Sequence, residues 1–192
     1  MTVAASDDHL VRGAWLALAL VWLAGMAFTK PTVRWQPGSW RLFHVAMGLL
    51  GFVLIGGIGL QQHWMNVRFA PETALVPGAG ALLTVTGCAF AVWARIVLGG
   101  NWSGRVTVKA AHELITRGPY ALARHPIYTG MLTALAGTAL VVGEWRALAG
   151  LAIFVLAFTV KMNQEERLMM QTFPEAYPLY RQRVKALIPG VL

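Results

Sequence analysis

The sequence predicts an all-α integral membrane protein of five transmembrane helices, and three observations carry that prediction. Of its 192 residues, 57% are hydrophobic and only 12% charged, too apolar a balance to keep the surface of an ordinary soluble domain wet. The apolar residues gather into five runs of about membrane-crossing length, separated by polar connections. The Lys and Arg residues behind the net charge of +8 flank those runs and form no stripe interleaved with aromatics. They read as membrane topology and not as a nucleic-acid surface.

The amino-terminal stretch carries Asp7 and Asp8 in place of a basic region, and no small-residue cleavage pattern follows, so the first span is expected to be retained. It runs from Gly13 to Phe28, with Trp15 and Trp22 as candidate interface anchors, and Lys30-Pro31 ends it. The second span, Leu42 to Leu60, is dense in glycine at 48, 51, 56, 57 and 59, small residues that let another helix approach closely. Its Gly56-Gly57-Ile58-Gly59 cluster has no preceding strand and fails as a dinucleotide fingerprint. The third span is Ala79 to Leu98 and contains Cys88, the single cysteine, which excludes an intramolecular disulfide and reads as a buried thiol.

The longest polar connection, Gly99 to Arg124, is rich in specific side chains and too elaborate for a tether. It leads into Arg124-His125-Pro126-Ile127-Tyr128-Thr129-Gly130. Pro126 suits the first helical position, since its fixed φ fits and its missing N–H has no partner there. That places His125 at the N-cap, with the unpaired amides of the helix start facing an anionic or acceptor group and Arg124 adding positive charge.

The fourth span, Ile127 to Val142, and the fifth, Arg146 to Val160, are separated only by Gly143-Glu144-Trp145 and must form an antiparallel hairpin. Gly130, Ala134 and Thr138 lie on one stripe, a packing face. From Lys161 the chain turns polar while keeping Leu168, Met169, Phe173 and Leu179, which reads as a helix leaving the bilayer and an amphipathic tail broken by Pro174 and Pro178.

Five spans place the termini on opposite sides. One side collects Arg12, Arg68 and Arg146, and the other the remaining 13 of the 16 basic residues. The positive-inside rule therefore puts the amino terminus outside and both the polar connection and the tail in the cytoplasm.

Glu165 and Glu166 stand where the fifth span leaves the bilayer, where carboxylates are costly unless paired, hydrated or used. Adjacent helical residues point ~100° apart, so one of them faces a given pocket. Lys161, four positions before Glu165, shares its face, which selects Glu165 for the pocket and turns Glu166 toward the tail or headgroups. A solvated interfacial ion pair is the plain alternative. The histidines, at 9, 44, 63, 112 and 125, show no metal-ligand spacing, so no metal is expected. Tyr120 and Tyr128 fit either an interface belt or a site, and Tyr177 and Tyr180 read as packing residues.

Taken in order, Asn101-Trp102, His112-x-Leu114-Ile115-Thr116-x-Gly118-x-Tyr120, Arg124-His125-Pro126-x-Tyr128-x-Gly130, Glu165-Glu166, Phe173, Tyr177, Tyr180 and Ile188-Pro189 resemble the isoprenylcysteine carboxyl methyltransferase family, which belongs with the membrane phospholipid methyltransferases. The resemblance covers roughly residues 95 to 192. It implies a single membrane domain, 1–192, with three N-terminal spans in 1–98 and the methyltransferase motifs in 99–192. It implies S-adenosylmethionine as cofactor, in a cytoplasmic pocket formed by the connection between helices 3 and 4, the helix 4–5 hairpin and the tail. On that pattern His112, Leu114, Gly118, Tyr120, His125, Pro126, Tyr128 and Glu165 surround the cofactor, Glu165 and Lys161 are the catalytic candidates, and Asn101, Trp102 and Arg124 meet the substrate.

The implied partners are a lipophilic methyl acceptor from the bilayer and the membrane lipids, in the inner membrane of a bacterium. Two positions depart from the pattern. The family often has arginine where Lys161 stands, and lysine cannot make arginine's planar two-point clamp on a carboxylate. It commonly has glycine where this chain has Pro174. A small transporter or scaffold is the competing reading, and the span interiors lack the charges that mark a transport path.

Overall fold

Long apolar helices dominate the computed structural model, which describes residues 3–35, 38–59, 66–71, 73–103, 107–109, 113–188 and 190. They are α1 (Val3–Met26), α2 (Gly38–Gly56), α3 (Leu75–Leu98), α4 (Pro126–Val142) and α5 (Trp145–Thr172), followed by a short α6 (Ala176–Arg183). Three are long and apolar enough to cross a membrane, over Asp7–Met26, Leu75–Asn101 and Trp145–Thr172; Trp40–Gly56 and Pro126–Val142 are shorter apolar helices. At 1.5 Å per residue a 17-residue helix spans about 26 Å, slightly under a ~30 Å hydrocarbon core. The outward faces carry Leu16, Leu20, Leu23, Leu49, Phe52, Leu82 and Leu156, each more than half exposed. So much outward apolar surface belongs in lipid.

The tightest packing joins α3 to α4, and small residues make it possible. A Cβ at Gly130 would lie 2.6 Å from the Gly87 carbonyl, and one at Gly80 would lie 2.6 Å from that of Gly137. The Gly130, Ala134 and Thr138 stripe is this contact: Ala134 is fully buried, and the Thr84 hydroxyl reaches the Ala134 carbonyl at 3.2 Å. The α2–α5 contact uses the same device, with Gly150 against the Gly51 carbonyl.

Several sequence expectations change here. Of the five second-span glycines, Gly51 meets Phe154 of α5 from within α2, and Gly57, past the end of α2, meets Arg146. Gly56 ends α2, and Gly57 and Gly59 follow at φ +67° and +76°, so this cluster is a terminator requiring left-handed backbone. Trp15 is no interface anchor, because its indole N–H donates to Thr138 Oγ1 at 2.9 Å inside the bundle. The polar connection after α1 contains a strand, β1 (Thr32–Trp35), paired antiparallel with β2 (Thr107–Lys109). The fifth helix continues twelve residues beyond Val160 to Thr172 as one element. Pro174 follows its end, but Pro178 sits in the first turn of α6, where proline is tolerated, and breaks nothing.

The two ends of the bundle are tied differently. At one end Arg146 donates to the carbonyls of Leu54 and Ile55 and to Glu144 at 2.6 Å, while the Phe69 N–H donates to the Gly143 carbonyl at 2.9 Å. At the other, the Lys30 N–H donates to the Gly100 carbonyl, and Arg95 donates to those of Gly25 and Gly99. Polar segments of the chain converge at this second end.

Candidate active site

A cavity of about 480 Å³ opens at that end, within the usual range for a small-molecule site. One wall is a stripe of α5. Phe158, Lys161, Glu165, Leu168 and Met169 recur at three- and four-residue spacing and all line the cavity. The opposite wall is the start of α4, whose geometry follows from its sequence. Pro126 occupies the first helical position, and the residue before a proline is kept out of the α region, which holds His125 at φ −121°, ψ 58°. The His125 side chain makes no cap to the helix, so it is free to project sideways into the α4–α5 interface.

The carboxyl-terminal tail packs against this helix start. Arg124 N–H donates to the Lys185 carbonyl at 2.8 Å and His125 N–H to that of Ala186 at 2.9 Å, while Thr129 Oγ1 donates to Leu187 at 2.8 Å. The chain's own tail thus takes the amides of Arg124 and His125, the two residues that precede the helix. Arg124 is likewise committed. Its Nε and Nη2 donate to Glu166 Oε1 at 2.8 and 2.6 Å, and its Nη1 to the Val184 carbonyl at 2.6 Å.

The two carboxylates have different surroundings. Glu165 lines the cavity and accepts the Tyr128 hydroxyl at 2.7 Å, with its second oxygen 3.7 Å from His125 Nδ1. Glu166 does not line it. It is held by Arg124, by Arg181 Nε at 3.3 Å and by His125 Nε2 at 3.3 Å. Lys161 Nζ stands 5.7 Å from the centre of the Tyr128 ring, a cation–π arrangement at the cavity edge.

Asn101, Trp102, Leu114, Tyr120, Arg124, His125, Pro126, Tyr128, Lys161 and Glu165 all line this one cavity. Asn101 Oδ1 accepts from Lys30 Nζ at 3.0 Å, and Trp102 meets Trp22 edge-on at 6.3 Å with the Arg95 guanidinium over its ring at 4.5 Å. Gly118 stays out of the cavity; at φ +60° it opens the turn Gly118–Ala121 that carries Tyr120 inward. His112 lies outside the described residues.

Other cavity residues were missing from the candidate set. Tyr177 and Tyr180 line it from α6, and the Tyr180 hydroxyl donates to the Tyr120 carbonyl at 2.6 Å. Burial pushes Tyr180 up to about 12 and raises Tyr120 too, so both phenols keep their hydrogens at neutral pH. Trp22 carries only the signal of an interface anchor, whereas Leu168 shares the stripe of Lys161 and Glu165 and the same period reaches Phe158. Among the described residues no group of three or more His, Cys, Asp or Glu is arranged to hold a metal ion.

Residues 80–171 match the model of the isoprenylcysteine carboxyl methyltransferase (ICMT) family. The chain is similar to that family over this segment, just under half of its length. It is 29% identical over 136 residues to protein-S-isoprenylcysteine O-methyltransferase B of Arabidopsis thaliana, which covers 69% of this chain and 64% of that protein. It is 25% identical over 157 residues to the nickel-cobalt-cadmium resistance protein NccN of Alcaligenes xylosoxydans xylosoxydans, covering 81% and 65%. The chain thus spans just under two thirds of the length of these curated relatives. The solved structure of the eukaryotic intramembrane Ras methyltransferase ICMT shares the fold at a TM-score of 0.56 and 21% identity, over 81% of this chain and 54% of that one. The ICMT match ends on both sides within the cavity wall, since Trp22 precedes it and Tyr177 and Tyr180 follow it.

Proposed function

We propose that the protein is an integral membrane methyltransferase dependent on S-adenosylmethionine, transferring a methyl group to a lipophilic acceptor of the isoprenylcysteine carboxyl type or to a lipid headgroup. The observation that carries this reading is the lining of the cavity. Two carboxylates, one ammonium, one guanidinium, one imidazole and four phenols stand among Trp22, Leu98, Leu114, Met131 and Phe158.

The residues present fit such a cofactor. Its sulfonium and amine call for a carboxylate, its ribose hydroxyls for acceptors and its adenine for apolar and aromatic walls, and Glu165, His125, Leu114, Tyr120 and Tyr128 supply these. When bound, the cofactor supplies an electrophilic methyl group. The chain's residues then contribute position and dryness. Tyr128 holds the Glu165 carboxylate in one orientation, the phenols of Tyr120, Tyr177 and Tyr180 close the tail side, and Lys161 places one positive charge at the edge for an anionic acceptor. Lysine in place of a two-point arginine clamp leaves that edge compatible with acceptors other than a carboxylate.

The same reading takes α1 to α5 as five spans of a single domain, with the amino terminus outside and the cavity at the cytoplasmic face of a bacterial inner membrane. The distribution of 3 basic residues against 13 and the meeting of the Lys30, Gly99–Arg124 and tail segments at one end support it. Calorimetric titration with S-adenosylhomocysteine in detergent tests the function. Saturable one-to-one binding is expected, and no heat at millimolar ligand refutes the reading.

A further inference from the structure

We propose that Glu166 is a positioning residue that fixes His125 in its Nε2–H form, turning Nδ1 toward Glu165 as half of a two-atom acceptor for a ligand N–H or O–H. The ligand half of this proposal rests on the cavity being the cofactor site; the positioning half does not.

Glu166 is tied into place from two elements. Arg124 precedes α4 and gives two hydrogen bonds to Oε1, while Arg181 on α6 reaches Oε2. A carboxylate held this way offers lone pairs and no hydrogen. His125 Nε2 lies 3.3 Å from the same Oε1, so the imidazole must supply the hydrogen of that contact. In the neutral ring the other nitrogen is then a bare acceptor. Ordering a histidine by hydrogen-bonding its far nitrogen to a carboxylate is the arrangement by which proteins commonly fix a functional imidazole.

The consequence appears on the cavity side. Nδ1 stands 3.7 Å from Glu165 Oε2, too far for a hydrogen bond and with lone pairs on both atoms. Glu165 Oε1 is already engaged by Tyr128 at 2.7 Å. Oε2 and Nδ1 therefore face each other across a gap that one donor group satisfies on both sides. An amine or a hydroxyl has the right chemistry; an acceptor-only group such as a carboxylate is repelled. The pair thus selects the amine or a ribose hydroxyl of the cofactor and rejects its carboxylate.

The test uses full-length protein in detergent, labelled with 15N-histidine, with His125 assigned by comparison with His125→Asn. Without ligand, the wild type is expected to show the Nε2–H signature, and Glu166→Gln to lose part of it. S-adenosylhomocysteine should bind Glu166→Gln about three- to tenfold more weakly, the range for one hydrogen bond. In the His125→Asn background the same substitution should change affinity by less than about twofold. A wild-type Nδ1–H signature, or an equal loss in both backgrounds, overturns the positioning role. If Glu166→Gln does not fold, the wild-type signature alone decides that half. Failure of the wild type to bind S-adenosylhomocysteine overturns the ligand half and the cofactor reading, while the ligand-free spectrum still decides the role of Glu166.

Discussion

The Tyr128 hydroxyl donates to Glu165 Oε1 at 2.7 Å, joining the first turn of α4 to α5 at the cavity wall. Tyr128 also stacks on Phe158, with ring centres 4.9 Å apart, and Tyr128→Phe keeps that contact while deleting the donor. The expected result is a loss of about 1 kcal/mol in S-adenosylhomocysteine affinity. A thermal melt of the same variant should shift by less than the binding does, and equal losses would assign the pair to folding alone.

Glu165→Gln should cut affinity by ~1.5 to 3 kcal/mol, the range for hydrogen bonds to a charged group. Glu166→Gln should cost less affinity but more thermal stability, because Arg124 loses its charged partner at a site largely closed to water. Paired titrations and melts on the two variants check this, and the reverse ordering would exchange the roles given to the two residues.

Gly130→Ala should destabilise the bundle by about 1 to 3 kcal/mol, the usual cost of overpacking. The added Cβ would stand 2.6 Å from both the Ala91 amide nitrogen and the Gly87 carbonyl oxygen, and backbone atoms cannot swing aside. Gly48→Ala, where the Cβ meets nothing within 4 Å, is the control. Melting in detergent that shows no difference between the two would refute the α3–α4 contact.

Arg146→Ala should lower the melting temperature and leave ligand binding alone. Its guanidinium joins the end of α2 to Glu144 at the end of the bundle away from the cavity. Removing it leaves two carbonyls and a carboxylate without that donor, at about 1 to 3 kcal/mol. Loss of binding at unchanged stability would contradict the separation of the two ends.

Membrane orientation is tested by cysteine accessibility in intact bacteria, on a background lacking Cys88. His9→Cys should react with an impermeant reagent and Glu175→Cys should not, both positions being exposed in the fold. Equal labelling of the two would refute the five-span arrangement.

Local pattern was enough for much of this architecture. Apolar runs marked α2, α3 and α4 to within a few residues but missed the first ten residues of α1 and the last twelve of α5, which are too polar to read as span; Pro126 marked the start of α4, and four-residue spacing put Lys161 and Glu165 on one stripe that does line the cavity. The features that escaped are those made by distant partners. The β1–β2 ribbon pairs Thr32 with Lys109, and such short strands carry no alternation long enough to register. Three carbonyls of the tail accept from the Arg124 and His125 amides and the Thr129 hydroxyl, contacts that no local pattern announces. The Arg124–Glu166–Arg181 cluster is likewise invisible until α6 folds back, and Trp22 declares itself only by meeting Trp102.

Trp22 and Tyr180 border the same cavity although they stand near opposite ends of the chain. Synthesis runs from the amino terminus, and early helices enter the bilayer before later ones are made. The first wall of the cavity is therefore laid down long before the carbonyls of Lys185 to Leu187 leave the ribosome. A nascent chain that already holds all its long helices still lacks the segment that meets the start of α4, so the cavity wall closes only after the helices themselves are in place.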